Sequence, residues 1–429
     1  MKVLMGSLAF SGHFNPMTGI AKQLQAAGNE VSWYTGSHYA AKLAELGIEH
    51  RPFVRAVEHT EANLNDLYPE RARLKGPKVV SFDGEKVFAG NVGNFFEDLK
   101  EIHATDPFDV LVIDGAIYVQ RLVTRLLGIP VVSVIAIQNM QRDRLVPPLF
   151  FGFQPAKGVR GRVRDHVMTA LSERMVMKPA RQRYARILAD YGLTMPQGGF
   201  FTDEPYLTSA AVLQTGTESF DYPRSQRNPL VHYVGPLVPY RTRSGAYAAP
   251  APSPHRRTVL VTQGTVDNED ATKLIVPTIE ALKDTDTQLI VATGGKGTAR
   301  LREAYPQPNI VIEDYVDFDA VLSRADAFVT NGGFGGVLLS LSHGVPPVCA
   351  GVKEGKNDIN ARVDYHRVGI NLKTEKPAAA AIADAVERVV TEPSYRQRAA
   401  GYAAEMASHH HPAAASGAII EATCSNRTH

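Results

Sequence analysis

The chain has 429 residues, of which 44% are hydrophobic and 21% charged, a composition typical of globular proteins and a length sufficient for two or three domains. Its 46 basic and 44 acidic residues leave a formal net charge of +2, so the overall charge gives no reason to expect a nucleic-acid or membrane-surface partner. The two cysteines, Cys349 and Cys424, fit a reducing cytoplasm, and no stretch approaches the roughly 18 apolar residues that span a bilayer. We therefore expect a cytoplasmic protein without membrane insertion.

The first part of the chain alternates strand and helix patterns. An apolar run from Lys2 to Ala9 is followed by apolar residues at helical spacing from Met17 to Ala27, and 'EVSWYTG' then resumes as a strand. The strand 'DVLVID' ends at Asp114, and 'GIPVVSVIAI' follows after a helix-length segment. This order predicts βαβ units and a parallel sheet in a first domain over residues 1–235.

A segment rich in proline, alanine, serine and arginine over residues 236–257 has no apolar period and predicts an interdomain linker. Strand patterns ('TVLVTQG', 'TQLIVATGG', 'NIVIEDY', 'AFVTNGG' and 'PPVCAG'), most of them separated by helix-length segments, then occupy residues 258–392. An alanine-rich helical segment follows over 393–429, and whether it crosses back to the first domain is left open. We predict an α/β protein of two doubly wound, Rossmann-like domains.

The loop 'SGHFNP' places His13 between the first strand and the first helix. Asn15 suits the N-cap and Pro16 the first helical position, so we expect His13 just before the helix N-terminus, where the helix dipole disfavours protonation of the ring. Asp114 ends another strand, and the carboxyl ends of parallel strands meet in one crevice. A carboxylate there offsets the dipole, and a His–Asp pair is the arrangement of a general base. The alternative is a loop histidine satisfied by the backbone.

A second candidate site is the glycine-rich turn in 'VTNGGFGGVLLSL', with four glycines in the five positions after Asn331. The turn follows a predicted strand and precedes a helical run, so backbone N–H groups and the positive end of a helix are open to a nucleotide diphosphate. The alternative is a turn in which the glycines only permit close packing. In 'VTQGT', Thr265 offers a hydroxyl beside Gly264, which predicts a weaker third site of the same kind.

Taken together, these features resemble family 1 of the GT-B glycosyltransferases over almost the whole chain. The resemblance rests on 'GHFNP', on the two α/β domains, and on 'VTQGT', 'TNGGFGG', 'LSHGVP', 'NARV' and 'GINL' in the second domain. It implies two Rossmann-like domains facing a central cleft, with His13 as the catalytic base and Asp114 as the residue that orients it. It also implies a nucleotide-sugar cosubstrate bound by the C-terminal domain, with no metal and no other cofactor.

The resemblance also assigns residues to substrates. Tyr315 matches an aromatic residue that packs beside the nucleobase, Val316 a position whose backbone reads the base edge, and the turn after Asn331 the diphosphate cradle. The donor-binding residues it implies are Gly12, Gln263, Gly264, Thr265, Tyr315, Val316, Asn331, Gly332, Gly333, Phe334, Gly335, Gly336, Glu354, Lys356 and Asn357. The predicted acceptor-binding residues are Phe14, Phe150 and Phe151. For the aromatic residues around Phe150 to Phe153 and Phe200 to Leu207, core packing is the alternative role.

The chain departs from the family pattern at the diphosphate. Asn331 stands where most members have a histidine that donates to this group, and an amide can donate a hydrogen bond but cannot become cationic. Lys356 and Lys296 are therefore the candidates for neutralising the anion, and Lys356 is favoured because 'EGKN' aligns with the sugar-contacting region of the family.

Further departures affect the sugar and the ribose. The sugar-contacting Asp and Gln of the family are missing from 'EGKN'. Asn357 is the candidate for the Gln amide, and Glu354 or Asp358 for the carboxylate. Leu339 stands in place of the ribose-binding Glu, and residues 317 and 318 in place of a Pro-Gln pair, so recognition of the ribose must differ. A dTDP-sugar thus becomes an alternative to the favoured UDP-sugar, such as UDP-glucose.

The predicted function is inverting transfer of a sugar to a hydroxyl of a hydrophobic small molecule such as a flavonoid, another phenol or a macrolide. Two alternatives are a non-catalytic glycosyltransferase-like auxiliary protein and a sugar-nucleotide epimerase of GT-B fold. The His13–Asp114 pair argues against the first, and the lack of a clear set of acidic and basic residues around the sugar argues against the second. The expected assembly is a monomer or a homodimer.

Overall fold

The computed structural model describes residues 1–196, 199–240, 247, 249–264, 268–353, 355–408 and 411–425. Two predicted donor-binding residues, Thr265 and Glu354, lie outside these ranges. The described chain forms two parallel sheets flanked by helices, which confirms the predicted α/β class with two doubly wound domains. None of its helices combines the length and the apolar character needed to cross a membrane.

Seven strands form the first sheet: β1 (Lys2–Gly6), β2 (Glu30–Thr35), β3 (Glu49–Pro52), β4 (Val110–Asp114), β5 (Val131–Ile135), β6 (Ala211–Gln214) and β7 (Val231–Tyr233). All are parallel, in the order β3-β2-β1-β4-β5-β6-β7. The chain reverses its direction of travel across the sheet between β1 and β4, and ligands of doubly wound sheets bind at this switch point.

Six strands form the second sheet: β8 (Arg257–Thr262), β9 (Thr287–Ala292), β10 (Ile310–Glu313), β11 (Ala327–Thr330), β12 (Pro347–Cys349) and β13 (Ile370–Asn371). All are parallel, in the order β10-β9-β8-β11-β12-β13. The five strand patterns predicted in this domain correspond to β8 through β12. The switch point lies between β8 and β11, where Gln263 and Gly264 follow β8 and the turn beginning at Asn331 follows β11.

Helices connect the strands of both sheets. In the first half they are α1 (Ser11–Phe14), α2 (Thr18–Ala26), α3 (Ala40–Leu46), α4 (Leu64–Leu67), α5 (Pro77–Asp83), α6 (Val92–Thr105), α7 (Gln120–Leu122), α8 (Gly158–Leu171), α9 (Lys178–Asp190) and α10 (Glu204–Thr208). In the second half they are α11 (Ile275–Leu282), α12 (Thr298–Ala304), α13 (Phe318–Leu322), α14 (Phe334–Ser342), α15 (Lys356–His366), α16 (Ala379–Thr391), α17 (Pro393–Ser408) and α18 (Pro412–Ser425). Short 3₁₀ turns span Asn15–Met17, Ser37–Tyr39, Arg71–Arg73, Phe201–Asp203 and Glu218–Phe220, and π-helical segments span Gly84–Ala89, Val123–Leu127 and Ser172–Val176.

The core of the first domain lies on both faces of its sheet, because successive side chains of a strand point to opposite sides. Leu4 and Ile113 pack in one cluster with residues of α6 and α9. Met5 and Val112 pack in the other cluster with residues of α2 and α18. Strands buried on both faces read as continuous apolar runs, which is why 'VLVID' and 'VVSVI' stand out in the sequence.

The last helix, α18, packs against α2 of the first domain. Ile420 is fully buried in that core. A Cβ added to Gly417 would lie 3.5 Å from Cγ of Gln23, and Nδ2 of Asn29 donates to Oε1 of Glu421 at 2.9 Å. The end of the described chain thus belongs, in its packing, to the first domain.

The carboxyl edges of the two sheets are turned toward each other. Gly216 follows β6, and a Cβ added there would lie 3.3 Å from Leu338 of α14. The ring of Phe220, slightly further along, lies 6.4 Å from that of Phe334 at the start of α14. Since α14 begins just after the carboxyl end of β11, the two switch points lie on facing sides of the domains.

Candidate active site

His13 and Asp114 meet at the switch point of the first sheet. Nδ1 of His13 lies 2.7 Å from Oδ2 of Asp114, and the side chains are 20% and 4% exposed. The N–H of Ala116 donates to the other carboxylate oxygen at 3.0 Å and so fixes the plane of the carboxylate. Because a carboxylate accepts, we assign the ring hydrogen to Nδ1. Nε2 then carries a lone pair, and no residue of the described chain hydrogen-bonds to it.

The local structure around His13 differs from the sequence-based prediction. We expected Asn15 as the N-cap, but α1 already begins at Ser11, so His13 lies inside the first helical turn. Phe10 is extended and caps this turn through its carbonyl, which accepts from the N–H of His13 at 3.0 Å. The N–H of Ser11 has no acceptor within the helix, and it donates instead to the carboxylate of Glu61, 50 positions along the chain, at 2.6 Å. The hydroxyl of Ser11 donates to the same carboxylate at 2.7 Å.

Two carboxylates set the electrostatics of the ring. Burial lowers the pKa of His13, but the charge and the hydrogen bond of Asp114, together with the charge of Glu61, outweigh burial and raise this pKa above its ordinary value. The arrangement therefore stabilises a proton once His13 has accepted it, which is a requirement for a general base.

The aromatic residues predicted for the acceptor are placed differently from one another. Phe14 is fully buried and stacks on Tyr39 with ring centroids 3.9 Å apart, so the predicted contact of its side chain with the acceptor is wrong. Phe150 and Phe151 are half-buried in the loop after β5, and Phe151 stacks on Phe153 at 5.6 Å. Gly12, beside His13, is exposed, and a Cβ added to it would meet nothing within 4 Å.

The glycine-rich turn after β11 leads into α14. Gly332 has φ of +87°, and a Cβ added to it would lie 1.8 Å from Oδ1 of Asn360, so only glycine fits this position. Gly333 is extended and caps α14. The turn therefore presents its backbone at a helix N-terminus, the geometry expected of an anion site.

The rest of the turn combines packing with open space. The side chain of Phe334 is 8% exposed and belongs to an apolar cluster, so only its backbone faces outward. Gly336 packs against Phe328, since a Cβ added there would lie 3.6 Å from that ring, whereas a Cβ added to Gly335 would meet nothing within 4 Å. Close packing thus accounts for Gly336, while Gly335 leaves the backbone of the first turn of α14 accessible.

Asn331 joins the two loops of the second switch point. Its Nδ2 donates to the carbonyl of Gln263, and its Oδ1 accepts from the N–H of Gly333 at 3.3 Å. A Cβ added to Gly264, which has φ of +83°, would lie 2.9 Å from Nδ2 of Asn331. One N–H of this amide is therefore engaged within the protein rather than directed at a ligand.

Tyr315 and Val316 follow β10. Tyr315 is 50% exposed, its hydroxyl donates to the carbonyl of Gly294 at 3.2 Å, and its ring lies 5.5 Å from the ring of Tyr247. Val316 is 2% exposed, which leaves only its backbone for contact with a ligand. Leu339 lies partly buried in the same apolar cluster as Val316 and offers no hydrogen-bonding group in place of the family's Glu.

The last three residues of 'EGKN', at 355–357, lie at the start of α15. Gly355 caps the helix with φ of +77°, and Lys356 and Asn357 are its first residues. Asp358, one of the two carboxylates proposed for the sugar, is only 4% exposed, and its oxygens accept from the N–H groups of Phe150 at 2.5 Å and Gly152 at 2.7 Å. Assignment of Asp358 to the sugar is therefore wrong.

Two other predicted donor contacts are engaged within the protein. Asn357 donates from Nδ2 to the carbonyl of Phe150 at 2.6 Å, so part of its amide holds the loop after β5. Lys296 is exposed and lies 3.4 Å from Glu269, a weak surface pair. Asp317 has a local function as the cap of α13, accepting from the N–H of Ala320 at 3.2 Å.

The sequence did not single out Glu61 and Asn360. Glu61 lies in a polar loop with no motif around it, and only the fold brings it to Ser11. Asn360 is fully buried and donates to the carbonyl of Gly351 at 2.9 Å, which holds the loop after β12 against the glycine-rich turn. The motif 'NARV' contains Asn360, so the resemblance supplied a signal for the segment but not for the residue.

Comparison with known proteins identifies the family of the chain. Residues 277–422 match the family "Erythromycin biosynthesis protein CIII-like, C-terminal domain". The chain is 33% identical over 414 residues to 4'-demethylrebeccamycin synthase of Lentzea aerocolonigenes, covering 93% of this chain and 94% of that protein. It is 26% identical over 436 residues to UDP-glucosyltransferase A1 of Starmerella bombicola, covering 95% and 89% of the two chains.

The fold also matches a solved structure. The glycosyltransferase of kitacinnamycin superposes with a TM-score of 0.76 at 21% identity, covering 99% of both chains. An identity of 33% across nearly the full length of both proteins establishes common descent as well as a common fold. The chain therefore belongs to family 1 of the GT-B glycosyltransferases and is a nucleotide-sugar-dependent glycosyltransferase.

Proposed function

We propose that the protein is an inverting O-glycosyltransferase in which His13 is the general base and Asp114 orients it. The observation that carries this proposal is the 2.7 Å contact between His13 Nδ1 and Asp114, which leaves Nε2 as the acceptor of a proton. A histidine with an unrelated structural role has no need of a buried carboxylate on one nitrogen and an open lone pair on the other.

In the proposed reaction, Nε2 of His13 takes the proton of an acceptor hydroxyl as the oxygen attacks the anomeric carbon. The bond between that carbon and the diphosphate oxygen breaks on the opposite face, so an α-linked donor yields a β-glycoside. Asp114 stabilises the imidazolium that forms. The diphosphate gains charge as it leaves, and the backbone N–H groups of Phe334 and Gly335 in the first turn of α14 are suited to compensate it without a metal.

The proposed donor is a UDP-sugar. The half-exposed ring of Tyr315 is a surface on which a nucleobase can pack, and a relative similar along most of its length is named UDP-glucosyltransferase A1. Leu339 favours the alternative, a dTDP-sugar, because an apolar side chain at this position offers no acceptor for a ribose hydroxyl.

The proposed acceptor is a hydrophobic small molecule such as a phenol, a flavonoid or a macrolide. The stacked rings of Phe151 and Phe153 are half-buried in a first-domain loop, at the edge that faces the second domain. Apolar and aromatic walls with few polar groups are typical of pockets for such ligands. The name of the relative 4'-demethylrebeccamycin synthase is consistent with a natural-product acceptor.

The experiment is incubation with UDP-glucose or dTDP-glucose and a panel of phenolic and macrolide acceptors, followed by a mass-spectrometric search for a glycoside. His13→Ala should lower kcat by about 10²- to 10⁴-fold, the usual contribution of a general base, and should keep the rise in melting temperature caused by UDP. A matched control is His255→Ala. His255 also pairs with a carboxylate, Asp286, at 3.0 Å, but it precedes β8 at the opposite edge of the second sheet. Unchanged turnover in His13→Ala would refute the base assignment.

A further inference from the structure

The loop after β5 is bound to the donor-side helix α15. We call residues 149–154 the phenylalanine loop. Asp358, in the first turn of α15, accepts from Phe150 N at 2.5 Å and from Gly152 N at 2.7 Å, and Asn357 donates to the Phe150 carbonyl at 2.6 Å. These three hydrogen bonds join residues more than 200 positions apart in the chain and cross from one domain to the other.

The hydrogen bonds hold the loop in an unusual conformation. Phe150 has φ of +70°, a left-handed backbone that bulky residues rarely adopt, and Gly152 has φ of +63°. A Cβ added to Gly152 would lie 3.1 Å from Cβ of Asn357, so loop and helix are in close contact. Such a conformation persists only where the surroundings impose it. The first turn of α15 holds Phe150 and Gly152, and the hydroxyl of Tyr222 donates to the carbonyl of Phe153 at 3.2 Å.

A second link ties α15 to the first domain one turn further on. Arg362 is 2% exposed, and one guanidinium nitrogen donates to the Asp358 carbonyl at 3.1 Å while the other lies 3.2 Å from Oδ1 of Asp221. Asp221 belongs to the loop after β6. The helix is therefore held against the first domain beyond its first turn. Further along α15, Asp364 accepts from Nε2 of Gln154, the last residue of the phenylalanine loop, at 2.8 Å.

Domain adhesion alone does not explain a carboxylate at this position. Burial raises the pKa of Asp358, while its two backbone hydrogen bonds and Arg362 oppose that effect, so the carboxylate is placed at a desolvation cost. Buried charged groups seldom stabilise more than apolar residues of the same size, but they do select one geometry. The geometry selected here joins the start of α15, on the donor side, to the loop that presents Phe151.

We propose that Asp358 is a positioning residue that couples the donor site to the acceptor site. A donor bound at the start of α15 steadies the first turn, Asp358 transmits this order to the phenylalanine loop, and the loop then holds the acceptor against His13. This inference rests on the proposed function, because it assumes that the donor binds at the start of α15 and that the loop contacts the acceptor. It predicts that the donor binds before the acceptor and that loss of Asp358 weakens the acceptor rather than the donor.

The kinetic test compares Asp358→Asn with the wild type. Asparagine has a single side-chain oxygen, which can replace only one of the two carboxylate oxygens. Its NH₂ group then faces the second backbone N–H, so at least one hydrogen bond to the loop is lost. We expect acceptor KM to rise about tenfold or more, with little change in kcat and donor KM, and a larger share of donor to be hydrolysed rather than transferred. Asp358→Glu, which keeps the charge, should restore part of the acceptor affinity.

The control for a general loss of stability is Asp326→Asn. Asp326 also accepts a backbone N–H, that of Thr258 at 2.9 Å, but it lies at the amino edge of the second sheet. An equal rise in acceptor KM in this variant at a matched fall in melting temperature would overturn the coupling proposal. An acceptor KM unchanged in Asp358→Asn would overturn it as well.

A second measurement is independent of turnover. Hydrogen exchange of peptides that cover the phenylalanine loop should slow when UDP binds the wild type, and Asp358→Asn should abolish this slowing while UDP still raises the melting temperature. If neither UDP nor the substitution of Asp358 changes the hydrogen-exchange rate of the loop, the coupling is refuted. If the wild type formed no glycoside with any donor, the proposed function would fail, while the exchange experiment would still decide whether Asp358 links helix and loop.

Discussion

Replacing Asp114 by asparagine tests the electrostatic role of the His13 pair. The N–H of Ala116 donates to Oδ1 of Asp114 at 3.0 Å, so the amide oxygen of an asparagine is held there and its NH₂ group turns toward His13. An NH₂ donor facing Nδ1 favours the tautomer with the hydrogen on Nε2. In that tautomer the ring cannot accept the proton of an acceptor hydroxyl.

The magnitude follows from the contact itself. A hydrogen bond to a charged group is worth about 1.5–3 kcal/mol, and these side chains are only 20% and 4% exposed, so solvent screening takes little from it. At about 1.4 kcal/mol per factor of ten, loss of this term from the transition state lowers kcat/KM about 10- to 160-fold. The unfavourable tautomer lowers kcat/KM further, so the measured loss should be at least this large.

The dependence of kcat/KM on pH gives a second readout with a defined sign. In the wild type, burial lowers the pKa of His13, and Asp114 and Glu61 raise it by more. Asp114→Asn removes the larger raising effect and keeps burial, so the pKa of His13 falls. Because the neutral ring is the active form, the acidic limb of the profile moves to lower pH while the plateau drops. A limb that stays in place or moves to higher pH, with an unchanged plateau, would refute the reasoning.

Three further predictions concern other parts of the site. Glu61→Gln should move the acidic limb of the pH–rate profile to lower pH by less than Asp114→Asn does, and it should leave the plateau unchanged. The reason is that Glu61 acts on His13 only through its charge. An acidic limb that does not move would contradict this prediction. Gly332 has φ of +87°, and the Cβ of an alanine there would lie 1.8 Å from an oxygen of Asn360. Gly332→Ala should therefore lower the free energy of unfolding measured in urea by more than about 1 kcal/mol and abolish the rise in melting temperature caused by UDP. Tyr315→Ala should weaken UDP binding about 5- to 160-fold in calorimetry, from about 1–3 kcal/mol of base stacking, while Tyr315→Phe binds normally.

The fold class and the crevice shared by His13 and Asp114 followed from the sequence, because the signals involved are local. Apolar runs such as 'VLVID' and 'VVSVI' mark strands buried on both faces, and helix-length segments between them imply a parallel sheet. A parallel sheet places its carboxyl ends on one edge. This rule was enough to predict that His13 and Asp114 share a crevice, although they are 101 positions apart.

The tertiary structure decided what depends on distant partners. The helix begins at Ser11 rather than after Asn15, since Glu61, 50 positions away, accepts the first free N–H group. The sign of the His13 pKa shift depends on the balance between burial and two carboxylates, which no local pattern encodes. Asp358 looked like a sugar ligand by its position in 'EGKND', and only the contact between the domains shows that it holds the phenylalanine loop. Hydrophobic periodicity is a property of each segment, whereas capping, desolvation and interdomain hydrogen bonds exist only once the segments have been brought together.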